Sequence, residues 1–411
     1  MEATSPRGAL SHLRVLDMSR VLAGPWAGQI LADLGAEVIK IERPGSGDDT
    51  RAWGPPYLRD GQGNDTQESA YFLGANRGKK SVTLDISKPE GQALARRLAV
   101  KCDILLENYK AGDLARYQLG YEDLRALNPG LIYCSITGFG QTGPMRAVAG
   151  YDFIIQGIGG LMSITGERDD LPGGGPQKVG VAVADITTGM YSTVAILAAL
   201  AHRNQTGEGQ YIDMALLDVQ VAMLANMNMN YLVSDKVPKR QGNAHANIVP
   251  YQVFTAADGE LVLAVGNDSQ FAKFCELAGS TLAQDARFRK NVERVRNRDV
   301  LIPLLEALLK QRKVREWVDL LEPIGVPVGP INNLQQVFDH PQVRSRGLRL
   351  DVPHPTGGSV PLVANPIKMS LTPVVQAVAP PTLGQHTREV LQEQLGISQE
   401  DFERLQAGGI I

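Results

Sequence analysis

The chain reads as an α/β protein with a large domain on a doubly wound parallel sheet and a smaller α+β domain. Three observations predict this. Short apolar runs of strand character alternate with helical patterns through the first third. The middle changes to a hairpin signal followed by two helical patterns. At 411 residues, and roughly 150 per domain, the chain has room for about two to three domains.

In order, LRVLDM (Leu13 to Met18) reads as the first strand. The helix after it has Pro25 at a first helical position, Ala27, Ile30, Leu31 and Leu34 at helical spacing, and Gly35 as its C-cap. EVIKIE and SVTLDI are strands. Ser87 to Glu90 reads as a capping box opening PEGQALARRLAVK, and DILLEN as the next strand. GYEDLRALN is a short helix and GLIYCSI another strand. A nearly all-apolar helix follows in ADITTGMYSTVAILAALAHR, and GQYIDMALLD reads as a strand and turn. Gln220 to Asn247 is polar and rich in Met and Asn. YQVFTAADGELVLAVG reads as a hairpin turning at Asp258-Gly259. LIPLLEALLKQR and VREWVDLLE are helical, and the final stretch is irregular chain with short helices. The expected division is 1–225 for the first part of the large domain, 226–330 for the small domain, and 331–411 returning to the large one.

Composition narrows the function classes. The chain is 43% hydrophobic and 21% charged, which excludes global disorder. A net charge of −3 gives no overall basic balance, so neither nucleic acid nor a membrane is an expected partner. Cys102, Cys134 and Cys275 form no disulfide framework, which fits a reducing compartment. MEATSPRGAL lacks the apolar core of a signal peptide. GMYSTVAILAAL falls short of the ~20 residues that cross a bilayer. The expectation is a soluble intracellular protein, cytoplasmic, or in the mitochondrial matrix if the source is eukaryotic.

No P-loop, HExxH, GxSxG, CxxC or kinase signature is present. In an open α/β sheet, ligands bind beyond the carboxyl ends of the strands. Those ends carry Leu22, Ala23 and Gly24; Arg43 with Gly45 and Gly47; and Asn108, Tyr109 and Lys110 with Arg116 nearby. The cations suit phosphates, or equally a charged sheet rim. Asp185, before the apolar helix, has two readings. One is an N-cap, which spacing alone favours. The other is a carboxylate carried into an apolar site as a nucleophile toward an activated acyl group. The six histidines show no ligand spacing, so no metal is expected. His245, in the polar loop RQGNAHANIVPYQ, is the histidine best placed in the sequence to meet a substrate, although spacing alone favours an ordinary surface-loop histidine.

Across nearly its whole length the chain resembles the class III (CaiB/BaiF-type) coenzyme A-transferases. The resemblance rests on RVLAGPWAGQILADLGAEVIKIERPGSGDDTR, NRGKKSVTLDI, LLENYKAGDLARYQLGYEDL, GLIYCSITGFGQTGP, AGYDFIIQGIGGLMSITG, VAVADITTGM, TGEGQYIDMALLD, GVPVGPINN and LGQHTREVL, in that order. ERPGSGDDTRAWGPPY, HANIVPYQVF and GVPVGPINNLQQVF further resemble the succinyl-CoA:glutarate branch. The resemblance implies a Rossmann-like large domain and an interlocked homodimer of ring-shaped chains. It also implies coenzyme A (CoA) and acyl-CoA as substrates, with no permanently bound cofactor. It reverses the preference at Asp185, which falls on the family's nucleophile. Leu22, Ala23, Arg43, Leu84, Asn108, Tyr109, Arg116 and Tyr151 fall where the family contacts CoA.

Two rivals share the fold. An α-methylacyl-CoA racemase uses a histidine in AGHD, where this chain has AGYD; Tyr151, with a side-chain pKa near ~10, is a poor base at neutral pH. A non-catalytic CoA-binding subunit would not need Asp185. For the acceptor acid, a short dicarboxylate such as glutarate, the distal carboxylate needs a cation or strong donor. His245 and then Arg240 are the candidates, with plain surface exposure the alternative for Arg240.

Overall fold

The computed structural model describes residues 8–411. The first seven residues, most of the stretch in which no leader peptide is expected, lie outside the described residues. The chain forms two compact units. One comprises residues up to 160, 180–229 and 341–411; the other comprises 161–179 and 230–340. Relative to the sequence-based division, residues 161–179 and 331–340 join the smaller unit and 226–229 stay with the larger.

In the larger unit the elements run β1 (Arg14–Asp17), α1 (Ala23–Asp33), β2 (Glu37–Glu42), β3 (Lys79–Thr83), α2 (Pro89–Val100), β4 (Ile104–Glu107), β5 (Ile132–Thr137), α3 (Asp152–Ile158), α4 (Val183–Thr206), β6 (Tyr211–Ala215) and α5 (Leu216–Met223). Six parallel strands pair in the order β3-β2-β1-β4-β5-β6. The chain thus winds one way from β1 to β3 and then crosses back to β4. Pleat alternation sends Val15 and its register partners Val38 and Ile104 to one face, where α1 and α4 supply Ala27, Leu31, Ile196, Ala199 and Leu200. Leu16, Ile39, Leu105 and Tyr133 point to the other face, under Leu94 and Leu98 of α2 and under Val390, Leu391, Phe402 and Leu405 near the carboxyl end. Each fully buried side chain of this kind stabilises by roughly 1.5–3 kcal/mol, which is why both faces read as apolar runs.

Three local expectations change. Pro89 occupies the first position of α2, with Lys88 as N-cap. Ser87 therefore lies outside the helix, and its hydroxyl donates to Asp85 at 2.6 Å instead of forming a capping box. No turn separates β6 from α5, which begins at the next residue, Leu216. Helix α4 has 24 residues, and by length and composition alone it is long and apolar enough to cross a membrane. The apolar stretch is longer than its sequence core suggested because Thr187, Thr188, Ser192 and Thr193 continue the helix. Here it serves as a core helix along one face, with Met190, Tyr191, Val194 and Leu197 exposed on the other side.

The smaller unit has an antiparallel sheet of β7 (Tyr251–Thr255), β8 (Glu260–Ala264) and β9 (Val328–Pro330), with β8 in the centre. Its hairpin turns at Asp258-Gly259 as expected. Phe254, Leu261, Leu263, Phe271, Phe274, Leu305 and Trp317 form its core. The Trp317 indole N–H donates to the Leu309 carbonyl at 2.8 Å, so the largest buried ring leaves no polar atom unmet.

Candidate functional site

The strand order reverses between β1 and β4, and the crevice beyond their carboxyl ends is where this architecture accepts ligands. The turn after β1 is fixed from below by buried charge. Lys79 donates to Asp17, Pro25 O and Asn76 at 2.8–2.9 Å. Burial pulls Lys79 down to about 8 despite the Asp17 carboxylate. Lys40 pairs with Asp48 at 2.9 Å and donates to Ser19 O at 2.8 Å. Burial opposes ionisation of Asp48, but the Lys40 charge overcomes it and holds the carboxyl at about 2. Buried pairs of this kind recover little net stability after desolvation, so their role here is geometry. Asp48 accepts the Val21 N–H at 3.2 Å, and Val21 sits at φ 70°, a strained position for a β-branched residue. Asn108, just past β4, locks the same turn by exchanging bonds with the Arg20 backbone at 2.8 and 2.7 Å.

A cavity of about 310 Å³ opens above this turn, lined by Leu22, Ala23, Asn108, Tyr109, Tyr151 and Asp185 among others. A second, of about 300 Å³, has Arg43 and Leu84 in its wall and shares Arg20, Asp49 and Tyr109 with the first. The sequence-based candidates of the larger unit thus come together, with one exception. Arg116 lines neither cavity; it sits in the short turn Leu114–Tyr117, exposed, and pairs with Asp113 at 2.7 Å. Arg20, which opens the RVLAGPWAG stretch but was not among the expected contacts, lines both, with its guanidinium 5.4 Å from the Tyr109 ring centre. Its position immediately past the first strand was the available signal.

Asp185 is not the N-cap of α4. Ala182 holds that position, and Asp185 is the third helical residue. The cap is Asp152, the first residue of α3, whose Oδ1 accepts the Ala184 N–H at 2.7 Å and the Asp185 N–H at 3.3 Å. With the free N–H groups served by another residue, the Asp185 carboxyl faces the cavity. Burial, and then the Asp152 charge, push it up to about 7. One carboxylate holds the helix end while the other is poised between protonation states near neutrality. Tyr151, the N-cap of α3, is 63% exposed.

Arg240 and His245 belong to the smaller unit, and neither lines the cavity around Asp185. Arg240 does not face solvent: it pairs with Asp169 and donates to the Glu167 and Ser163 carbonyls at 3.2 and 3.3 Å. His245 accepts the Asn247 N–H at Nδ1, 3.0 Å away, and its ring lies against Tyr251. Among the described residues, no three His, Cys, Asp or Glu side chains cluster as metal ligands.

The family model described as CoA-transferase family III matches residues 10–387. A succinate–glutarate CoA-transferase of Agrobacterium fabrum is 52% identical over 93% of this chain and 95% of its own. A succinyl-CoA:glutarate CoA-transferase of Mus musculus is 45% identical over 98% and 90%. The crystal structure of a CAIB/BAIF family protein from Brucella suis superposes with a TM-score of 0.82 at 50% identity, covering 94% of this chain and 100% of that one. Rv3272 from Mycobacterium tuberculosis superposes with a TM-score of 0.80 at 32% identity, covering 93% and 99%.

Proposed function

Because the chain belongs to CoA-transferase family III, and is a class III CoA-transferase, we propose that it moves CoA from succinyl-CoA to glutarate or a similar short dicarboxylate, with Asp185 as nucleophile. The observation that carries the reading is the Asp185 carboxyl in the wall of a cavity at the sheet's reversal point, freed from capping by Asp152.

A free carboxylate does not take CoA from a thioester without activation, so CoA is carried across on the enzyme. The Asp185 carboxylate attacks the thioester carbonyl; the carbon–sulfur bond breaks, giving a mixed anhydride and CoA thiolate. The thiolate attacks the aspartyl carbonyl, releasing succinate and leaving an aspartyl-CoA thioester. The acceptor carboxylate attacks that thioester and expels the thiolate, giving a second anhydride. Attack of the thiolate on its acceptor carbonyl forms the new acyl-CoA and restores Asp185. No proton is gained or lost overall. The anhydrides hydrolyse readily, which suits the apolar wall of Val21, Leu22, Ala23, Ile136 and Leu216.

In this reading CoA spans both cavities, with Arg20 and Arg43 toward its phosphates and Leu22, Ala23, Leu84, Asn108, Tyr109 and Tyr151 along its length. Arg116, engaged by Asp113, is the weakest of the expected contacts. His245 remains the sequence-based candidate for the acceptor's distal carboxylate, on the likeness of its loop to the glutarate branch alone. Arg240 joins only by exchanging Asp169 for the substrate, one carboxylate for another. The racemase alternative loses support at Tyr151, whose phenol is a poor base near neutral pH. We place the protein in the cytoplasm, or in the mitochondrial matrix if the source is eukaryotic, and read it as an interlocked homodimer; the exposed Met190, Tyr191, Val194 and Leu197 on α4 support self-association.

The test offers several acyl-CoA donors with labelled free acids and resolves the CoA esters by mass. Wild-type enzyme should transfer label to glutaryl-CoA, and hydroxylamine should trap a hydroxamate at Asp185. Transfer by Asp185→Ala at a near wild-type rate sinks the covalent scheme.

A further inference from the structure

Glu107 ends β4 at the reversal point, 5% exposed, with no ion-pair partner recorded among the described residues. Its Oε2 accepts the Tyr109 N–H at 2.7 Å, and it bonds to the Ser135 hydroxyl, which Gln141 also approaches at 2.9 Å. Tyr109 is part of the wall shared by the two cavities, and Asn108, between Glu107 and Tyr109, carries the bonds to the Arg20 backbone. A third cavity, of about 330 Å³, has Glu107, Lys110, Tyr121, Tyr133 and Tyr211 in its wall. A carboxyl side chain thus sets the backbone of the turn that the proposed CoA site depends on, without itself lining either of that site's cavities.

We propose that Glu107 is a positioning residue: as a carboxylate it clamps the Asn108–Tyr109 turn in the arrangement that binds CoA, and on protonation it relaxes that turn. This rests on the CoA reading above. A charge-assisted bond to an N–H is about twice as strong as a neutral one, so the ionised form holds the turn more tightly. The titration falls in a useful range, because burial pushes Glu107 up to about 7. The titratable and charged groups around it are Asp113, Lys110, Glu122, Asp123, Cys134 and the phenols of Tyr109, Tyr121, Tyr133 and Tyr211. Burial raises the pKa of Cys134 and of the Tyr109, Tyr133 and Tyr211 phenols, so none of these four changes charge between pH 6 and 8.

The consequence is a pH-dependent affinity in full-length enzyme. The Kd for CoA should rise about fivefold as pH falls from 8 to 6. By reciprocity, binding at pH 7 should release a fraction of a proton, about 0.4, read by calorimetry in two buffers of different ionisation enthalpy. The 3′-phosphate of CoA itself titrates near ~6. Dephospho-CoA, which lacks it, is therefore the second probe and should show the same rise. Glu107→Gln keeps an acceptor oxygen and removes the charge. It should fix Kd and the KM for succinyl-CoA near the wild-type pH 6 values at every pH, with kcat at pH 8 changed less than about twofold.

A wild-type Kd for dephospho-CoA that is flat or falls toward pH 6 overturns the proposal, whether or not the variant folds. So does a Glu107→Gln profile parallel to wild type. Tyr109→Ala separates this from the underlying reading. If it leaves KM unchanged, CoA does not use this turn at all. If it raises KM while Glu107→Gln keeps the wild-type profile, only the positioning role fails.

Discussion

Replacing Asp185 by Asn should stabilise the protein at alkaline pH and do so progressively less as pH falls. In the folded state burial, and then the Asp152 charge, raise this carboxyl from 3.8 to about 7. Between those values the folded chain keeps a proton that the unfolded chain has released. Folding stability contributed by this group is therefore intact below pH 3.8 and is lost as pH rises toward 7. The whole interval is worth roughly 4 kcal/mol at 1.36 kcal/mol per pH unit. The helix amino terminus returns at most about 1 kcal/mol of it. Asn has nearly the same shape and no charge. Urea unfolding of wild type and Asp185→Asn at pH 5 and pH 8 isolates the ionisation, because differences in packing and propensity cancel between the two pH values. The variant's advantage should grow by about 2–3 kcal/mol from pH 5 to pH 8. If the advantage is the same at both, or if the variant is the less stable at pH 8, Asp185 is not a strained buried acid and its selection as nucleophile loses its physical basis.

The same two carboxylates predict that kcat has an acid limb near 7 and that Asp152→Asn moves it to lower pH, since a neighbouring negative charge is removed. Asp152→Ala should in addition uncap α4, lowering stability by roughly 0.5–2 kcal/mol, measured by the same unfolding curves. Arg43→Ala should raise KM by a common factor for every acyl-CoA donor, while Arg116→Ala, already neutralised by Asp113, should change it less than about twofold; equal effects would mean that Arg116 leaves Asp113 when CoA binds. Wild-type enzyme should prefer glutarate to pentanoate, and His245→Ala should narrow the preference; use of pentanoate as readily as glutarate removes distal-charge recognition and the dicarboxylate assignment with it.

The parallel sheet was legible because its strands are buried on both faces, so strands such as EVIKIE, DILLEN and GLIYCSI stand out as short apolar runs between helices. Long-range effects were less legible. Spacing could place Asp185 at the start of a helix but could not tell the cap from the third residue. The competing cap, Asp152, lies 33 positions away and arrives only through the packing of α3. Arg116 followed a strand in sequence, yet the turn it occupies aims it at Asp113. Residues 161–179 carry glycines, prolines and charges with no period, so nothing in their pattern assigned them to the smaller unit.

Asp152 also shows why the family resemblance and the residue-level reading disagreed about Asp185 and yet shared one physical cause. A helix amino terminus attracts a carboxylate, and α4 has two within reach. The nearer in sequence would ordinarily satisfy the free N–H groups and, stabilised by them, become a weak nucleophile. Because Asp152 supplies the cap from outside the helix, Asp185 sits within the helix dipole's reach, and its own N–H is bonded to Asp152 instead of its own carboxylate. Its carboxyl is thereby left buried beside the Asp152 charge, where ionisation is costly and the ionised form is reactive. The division of labour requires both residues. Removing the cap should return Asp185 toward the ordinary helix-start role that its spacing suggests.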